Sequence, residues 1–281
     1  MTRRRIFNVP KAEEPKWPSD LISDKPPVTP RPSASVIVVR NNINWDVLMI
    51  RRSAEARFAP LAFVFPGGSV QEDDLQLATN YSFPPSETEL SRLRLVSDGT
   101  NPLALMAAAV RELFEETGLL LAKNVKSRRM CSTKDAEAIR YMVSNGYPFG
   151  EALKLMGLLL ALDKLIYFDR WITPELLSVR FDARFFLARL PSSQKRFHLS
   201  EEEASELLWI KPLDAVRLYN KGKLDLVFAT LSILESLSQY KTSSGLIRAT
   251  HRKRYVRTVK PRLRHSGINW QIVVEETVRH I

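Results

Sequence analysis

The chain has 281 residues, enough for one large domain or two small ones with a sizeable core, and its hydrophobic fraction of 44% is that of an ordinary soluble globular protein. A formal net charge of +11 suits polyanionic ligands: nucleotides, phosphorylated cofactors, RNA or an anionic membrane. A single cysteine, Cys131, excludes an intrachain disulfide framework; no His/Cys spacing suits zinc, the apolar run 155–162 is too short to span a bilayer, and no secretory signal opens the chain.

Residues 1–32 carry seven prolines and read as an extended, poorly ordered arm with no core of its own. The stretch 33–39 (SASVIVV), a turn at Asn41-Asn42 and the stretch 45–51 (WDVLMIR) predict a hairpin. A third short strand, 63–65 (FVF), ends at Pro66, and Gly67-Gly68 predict a tight turn whose backbone can approach a ligand. The polar segment 69–100 predicts two short helices, the second opened by the capping box SETE at 86–89. Asn101-Pro102 starts a longer helix, and Gly118 ends it. Residues 119–122 then read as a short strand, and 124–162 as largely helical, with helices over 132–143 and 148–162. Strands follow at 165–171 and 181–190, an acidic loop at 201–203, and helices at 212–219 and 224–237. From 241 onward the chain is basic and reads as less regular, with a terminal strand at 270–274; the run 251–265 holds seven Lys/Arg and no acid. This order predicts an α/β (α+β) fold with a mixed sheet between helices. The expected organisation is an arm over 1–32, a domain over 33–240 with insertions at about 69–100 and 124–162, and a basic extension over 241–281.

The stretch 107–119 (AAAVRELFEETGL) carries the chemistry. As a helix it places Glu112, Glu115 and Glu116 on one face, while Met106, Val110, Leu113 and Phe114 can pack on a sheet. Three carboxylates on one face repel each other unless they share a hard divalent cation, and Arg111 beside them can orient a carboxylate through a bidentate pair. If this helix meets Gly67-Gly68 and the loop of Glu201 to Glu203, the pocket is rich in oxygen donors and suits Mg²⁺ or Mn²⁺. Such a metal favours attack of water on phosphorus. The residues alone name no substrate.

The run from Arg111 to Leu119, with the approach Phe65-Pro66-Gly67-Gly68 and Glu203 six residues before Trp209, resembles the Nudix hydrolases, whose half-box reads R-E-U-x-E-E-x-G-U. One feature departs from that family: Gly68 and Arg111 stand 43 positions apart where the box allows 14. The box glutamate then falls on Leu103 counting back from Arg111 and on Asp74 counting forward from Gly68, so Asp74 is the one carboxylate that could replace it. The split box is similar to the acyl-coenzyme A diphosphatase subgroup, the nucleoside diphosphate-linked moiety X motif 19 type, over about residues 33–235.

That resemblance implies a Nudix-type mixed sheet sandwiched between helices. It implies hydrolysis of the diphosphate linkage of CoA or acyl-CoA to 3′,5′-ADP and (acyl-)4′-phosphopantetheine, with Mg²⁺ or Mn²⁺ as cofactor. It also implies Glu112 and Glu116 as principal metal ligands, Glu115 as a further ligand, Arg111 as the orienting residue, Glu203 as a metal-side or base carboxylate, and a contribution from the Gly67 backbone. The candidates for binding substrate are Gly67 and Gly68 together with Arg51, Arg52 and Arg57, the arginines for the CoA phosphates, since a guanidinium fits phosphate bidentately. The apolar helices of the second insertion are expected to be core, with a wall for the acyl or pantetheine group as the alternative. Other expectations are a diphosphatase acting on capped RNA or another nucleoside diphosphate derivative, with RNA held by 251–265, and a catalytically silent Nudix fold that binds RNA or protein. An intracellular location is expected. Arg279-His280-Ile281 is no Ser-Lys-Leu-type signal, and cytosol, mitochondrion and peroxisome stay open.

Overall fold

The hairpin stretches hold β-branched and aliphatic residues at nearly every position, the pattern of strands covered on both faces. In the computed structural model, which describes residues 2–8, 26–56, 59–94, 99–199, 204–266 and 269–277, those strands are the middle of a large mixed sheet. The strands are β1 (Thr2–Asn8), β2 (Arg31–Arg40), β3 (Asp46–Arg52), β4 (Phe63–Val64), β5 (Gly67–Ser69), β6 (Ser82–Phe83), β7 (Ala122–Asn124), β8 (Leu158–Ala161), β9 (Ile166–Ile172), β10 (Phe181–Arg189), β11 (Ala204–Ile210), β12 (Thr258–Val259), β13 (Arg262–Ser266) and β14 (Asn269–Thr277). The helices are α1 (Asp74–Asn80), α2 (Glu87–Arg94), α3 (Pro102–Thr117), α4 (Thr133–Ser144), α5 (Phe149–Leu155), α6 (Pro212–Asn220), α7 (Phe228–Ser238) and α8 (Ser243–Arg252).

The sheet runs β1-β14-β12-β9-β10-β2-β3-β11, with β13 on β14, β4 on β3 and β5 on β2; a small second sheet runs β6-β8-β7. Most pairs are antiparallel, while β10 pairs β2, β12 pairs β9 and β6 pairs β8 in parallel. Alternation along the central strands divides the interior in two. Ala34, Val36, Val38 and Leu48 face a core shared with α3, whereas Ile37, Val39, Val47 and Met49 face a core shared with α7 and α8. Helices therefore cover both faces, as a mixed sheet with apolar residues on each side requires. Among the described residues no helix is long and apolar enough to cross a membrane.

The site depends on where α3 starts and stops. The Asn101 side chain accepts from the Leu103 amide at 2.9 Å, Pro102 occupies the first turn, and Gly118 closes the helix with a left-handed φ of 68°. Ala107, Ala108 and Ala109 are fully buried, so the helix lies close against the sheet.

Several segments differ from the sequence expectation. The run LLLA at 158–161 is strand β8 of the small sheet, not the end of a helix reaching 162. Gly67-Gly68 are not a tight turn: they lie in the extended β5, where Ser35 pairs Gly67 and Ala34 pairs Gly68. Among the described residues the region from 241 is more regular than expected: the expected terminal strand is β14, α8, β12 and β13 precede it, and β14 pairs with β1, so residues 2–8 are a sheet strand. Ser86 still opens α2, but Glu89 turns inward, where it accepts from Arg92 at 2.8 Å and from the Tyr167 amide at 2.8 Å.

Candidate functional site

Arg111 is the hub of the acidic helix face. Its Nε and Nη2 donate to the two carboxylate oxygens of Asp74 at 2.8 and 3.0 Å. Its Nη1 donates to Glu112 and to Glu115, both at 2.8 Å, and Nη2 also reaches the Ser69 carbonyl at 3.0 Å. Burial works against the guanidinium charge, but the carboxylates of Asp74, Glu112 and Glu115 outweigh it and raise its pKa above the ordinary value. Asp74, 1% exposed, also accepts from the Gln71 amide at 2.7 Å. It thus ties the first insertion to the base of α3, at the position reached by counting forward from Gly68.

The glycines set the other side. The Gly67 N–H donates to Glu116 Oε2 at 2.7 Å. A Cβ at Gly67 would stand 2.3 Å from the Ala34 carbonyl oxygen, so that position admits only glycine; one at Gly68 would stand 2.5 Å from the Glu112 carboxylate and displace it. Glu116 is 6% exposed, the Glu112 side chain 12% and the Glu115 side chain 46%, a gradient from a held carboxylate to an open one.

An all-oxygen donor set of this kind suits Mg²⁺ or Mn²⁺. Among the described residues, however, no three His, Cys, Asp or Glu side chains are already gathered so as to hold a metal ion. The reason is visible in the hydrogen bonds: Glu112 and Glu115 turn to Arg111, and Glu116 turns to the Gly67 amide. The donors fit the ion in chemistry, and their carboxylates must rotate to share it.

Glu112, Glu116, Gly67 and Gly68 line one part of a cavity of about 560 Å³. The rest of its wall is mainly apolar, including Phe65, Trp171, Leu177, Phe185 and Phe228. These aromatics were not legible as site residues from the sequence. Trp171 and Phe185 fall in the expected strands β9 and β10, and nothing local told a cavity wall from a core. Of the candidate phosphate-binding residues, Arg52 lines the cavity. Arg51 does not: its Nε donates to the Leu61 carbonyl at 3.2 Å and its guanidinium lies 3.9 Å from Glu206. Arg57 and Glu203 lie outside the described residues. The second insertion supplies no cavity wall, and its Ala136, Ile139, Ala152 and Leu153 are core.

The basic run does not form one free stripe. Arg257 donates from Nη2 to buried Asp169 at 2.8 Å, Lys253 stands 4.8 Å over the Phe168 ring, and Val256, Val259 and Leu263 are buried. Burial lowers the Lys253 pKa despite the nearby Asp169.

No family model matches the sequence. The chain is 31% identical over 209 residues to a Caenorhabditis elegans protein named as nudix hydrolase 7, covering 74% of this chain and 61% of that protein. It is 25% identical over 222 residues to the acyl-coenzyme A diphosphatase NUDT19 of Xenopus laevis, covering 66% of this chain and 57% of that one. The matched region thus spans about three fifths of the curated relatives' length. Among solved structures, a NUDIX hydrolase from Alicyclobacillus acidocaldarius superposes with a TM-score of 0.63 at 27% identity, covering 77% of this chain and 95% of that one. The Arg111-to-Leu119 run, the fold that presents it and these likenesses agree, and the chain belongs to the Nudix hydrolase family.

Proposed function

We propose that this chain hydrolyses the diphosphate linkage of CoA or acyl-CoA, with Mg²⁺ or Mn²⁺ as cofactor, to give 3′,5′-ADP and (acyl-)4′-phosphopantetheine. The observation that carries this reading is one continuous cavity with the Glu112 and Glu116 carboxylates in one part of its wall and a largely apolar remainder. A substrate that joins a diphosphate to a long, weakly polar arm matches both parts. The relatives named as acyl-CoA diphosphatases support the same substrate class.

In this reading Glu112, Glu115 and Glu116 hold the metal, which when bound lowers the pKa of a water and neutralises charge on the departing phosphate. The protein's own part is positioning. Arg111 fixes Glu112 and Glu115 from below, Asp74 fixes Arg111, and the Gly67 amide fixes Glu116. Arg52, which lines the cavity, is the residue proposed to meet a substrate phosphate, and Glu203 remains the proposed further carboxylate.

The test is purified protein with octanoyl-CoA and Mn²⁺, products read by mass spectrometry. 3′,5′-ADP is expected to form, to stop with chelator, and to fall at least ~100-fold in Glu116→Gln. Intact octanoyl-CoA with wild-type protein, together with turnover of another nucleoside diphosphate derivative, would overturn the substrate assignment.

A further inference from the structure

We infer that the carboxyl-terminal extension builds part of the apolar wall of the cavity and sets the length of the apolar group the site accepts. The inference rests on the function proposed above and assigns the acyl end of that substrate to this wall. Pro261 and Ile272, both from the extension and both buried, line the same cavity as Glu112 and Glu116. Ile272 sits in β14 between Phe7 of β1 and Leu263 of β13, so a strand on each side fixes it.

The extension also holds a wall residue it does not itself supply. The Trp171 indole N–H donates to Asp169 at 3.1 Å, and Asp169 accepts from Arg257 Nε at 3.0 Å and Nη2 at 2.8 Å. Trp171 meets the Phe228 ring edge-on at 5.8 Å, and Phe228 packs against Phe7 at 5.1 Å. Arg257 is a positioning residue: it acts on the wall through Asp169.

Polarity decides which half of the substrate enters. Among the described lining residues Arg52 is the one Lys or Arg, and Asp225 adds a carboxylate. Such a lining offers a phosphorylated nucleotide little compensation for lost water. An alkyl chain gains about fourfold in affinity for each methylene buried. The acyl group therefore lies against the apolar wall that includes Ile272, and the 3′,5′-ADP half stays out of that part of the cavity.

The test measures kcat/KM for acyl-CoA from acetyl to palmitoyl in wild type, Ile272→Phe and Ile272→Ala. The preferred length is expected to shorten in Ile272→Phe and lengthen in Ile272→Ala, by about tenfold at the long end and with free CoA changed less than about twofold. Opposite shifts cannot come from a loss of folding. Arg257→Lys is expected to raise KM for long chains by a larger factor than it raises KM for free CoA. Calorimetric titration with octanoyl-pantetheine, which lacks the diphosphate, separates this inference from the function proposed. If no CoA ester is cleaved but octanoyl-pantetheine binding still answers to Ile272, the function falls and the inference stands. Uniform changes at all lengths, or octanoyl-pantetheine binding that is absent or indifferent to both Ile272 variants, overturn the inference.

Discussion

Among the described residues, the ion networks around Arg111 and across β9 and β10 do different work. Around Arg111, the carboxylates of Asp74, Glu112 and Glu115 converge on one guanidinium, and Glu116 is held beside them by a backbone amide. Across β9 and β10, Asp169 and Asp182 meet Arg170, Arg184 and Arg257. The first has more acid than base and opens at Glu115, whose side chain is 46% exposed. The second has at least as much base as acid; its carboxylates Asp169 and Asp182 are each 2% exposed or less, and the member that reaches solvent is a base, the Arg257 side chain at 34%. Burial pushes the Asp169 carboxyl up against the opposing donors of Arg257 and Trp171. Surplus acceptors at an opening invite a cation, whereas arginines around sealed carboxylates hold strands together. The sign of the imbalance, and whether the member that reaches solvent is an acid or a base, separate a site from a strut.

The contrast can be broken at four places. The largest effect on stability is expected in the sealed network. Asp182→Asn leaves Arg170 and Arg184 buried without their carboxylate and is expected to cost about 3–5 kcal/mol in urea unfolding. Its kcat/KM per folded molecule should stay within about threefold of wild type. In the open network the order reverses: Glu116→Gln is expected to lose at least ~100-fold in kcat/KM, about 2.7 kcal/mol, with little change in Tm, because the amide oxygen can still accept from Gly67. Asp74→Asn falls between the two, with about 1–3 kcal/mol lost in stability from a weakened Arg111 bond and a measurable loss of rate. Glu115→Gln is expected to cost under ~1 kcal/mol in stability, since its side chain is nearly half exposed, and its turnover loss should exceed that figure. A Glu116→Gln protein that unfolds as readily as Asp182→Asn would erase the distinction.

Much of the open network was legible in the chain. The offsets of Glu112, Glu115 and Glu116, the cap at Asn101-Pro102 and the stop at Gly118 are local, and local signals survive without tertiary information. Asp74 was reachable by counting forward from Gly68, because the insertion leaves the first half of the box in register with its glycine. The sealed network was not legible. Asp169 and Arg257 stand 88 positions apart, and no spacing rule joins them. The strand β8 was misread because a four-residue apolar run fits either period. The extension was misjudged because its charge drew attention from its alternation: Arg262 exposed, Leu263 buried, Arg264 exposed is a strand signature inside the basic run.

The pairing of β1 with β14 joins Ile6 to Val273, nearly the full length of the chain. During synthesis, the strands that carry Trp171 and Phe185 emerge long before Ile272 exists to close the space beside them. The apolar wall is then exposed on a nascent chain whose central sheet already has most of its strands. Contacts of such sequence separation form late, because the loop they close is entropically costly before any packing rewards it. The interval before the last strand docks is therefore when this chain is most open to aggregation, and the same surface becomes the cavity once that strand is in place.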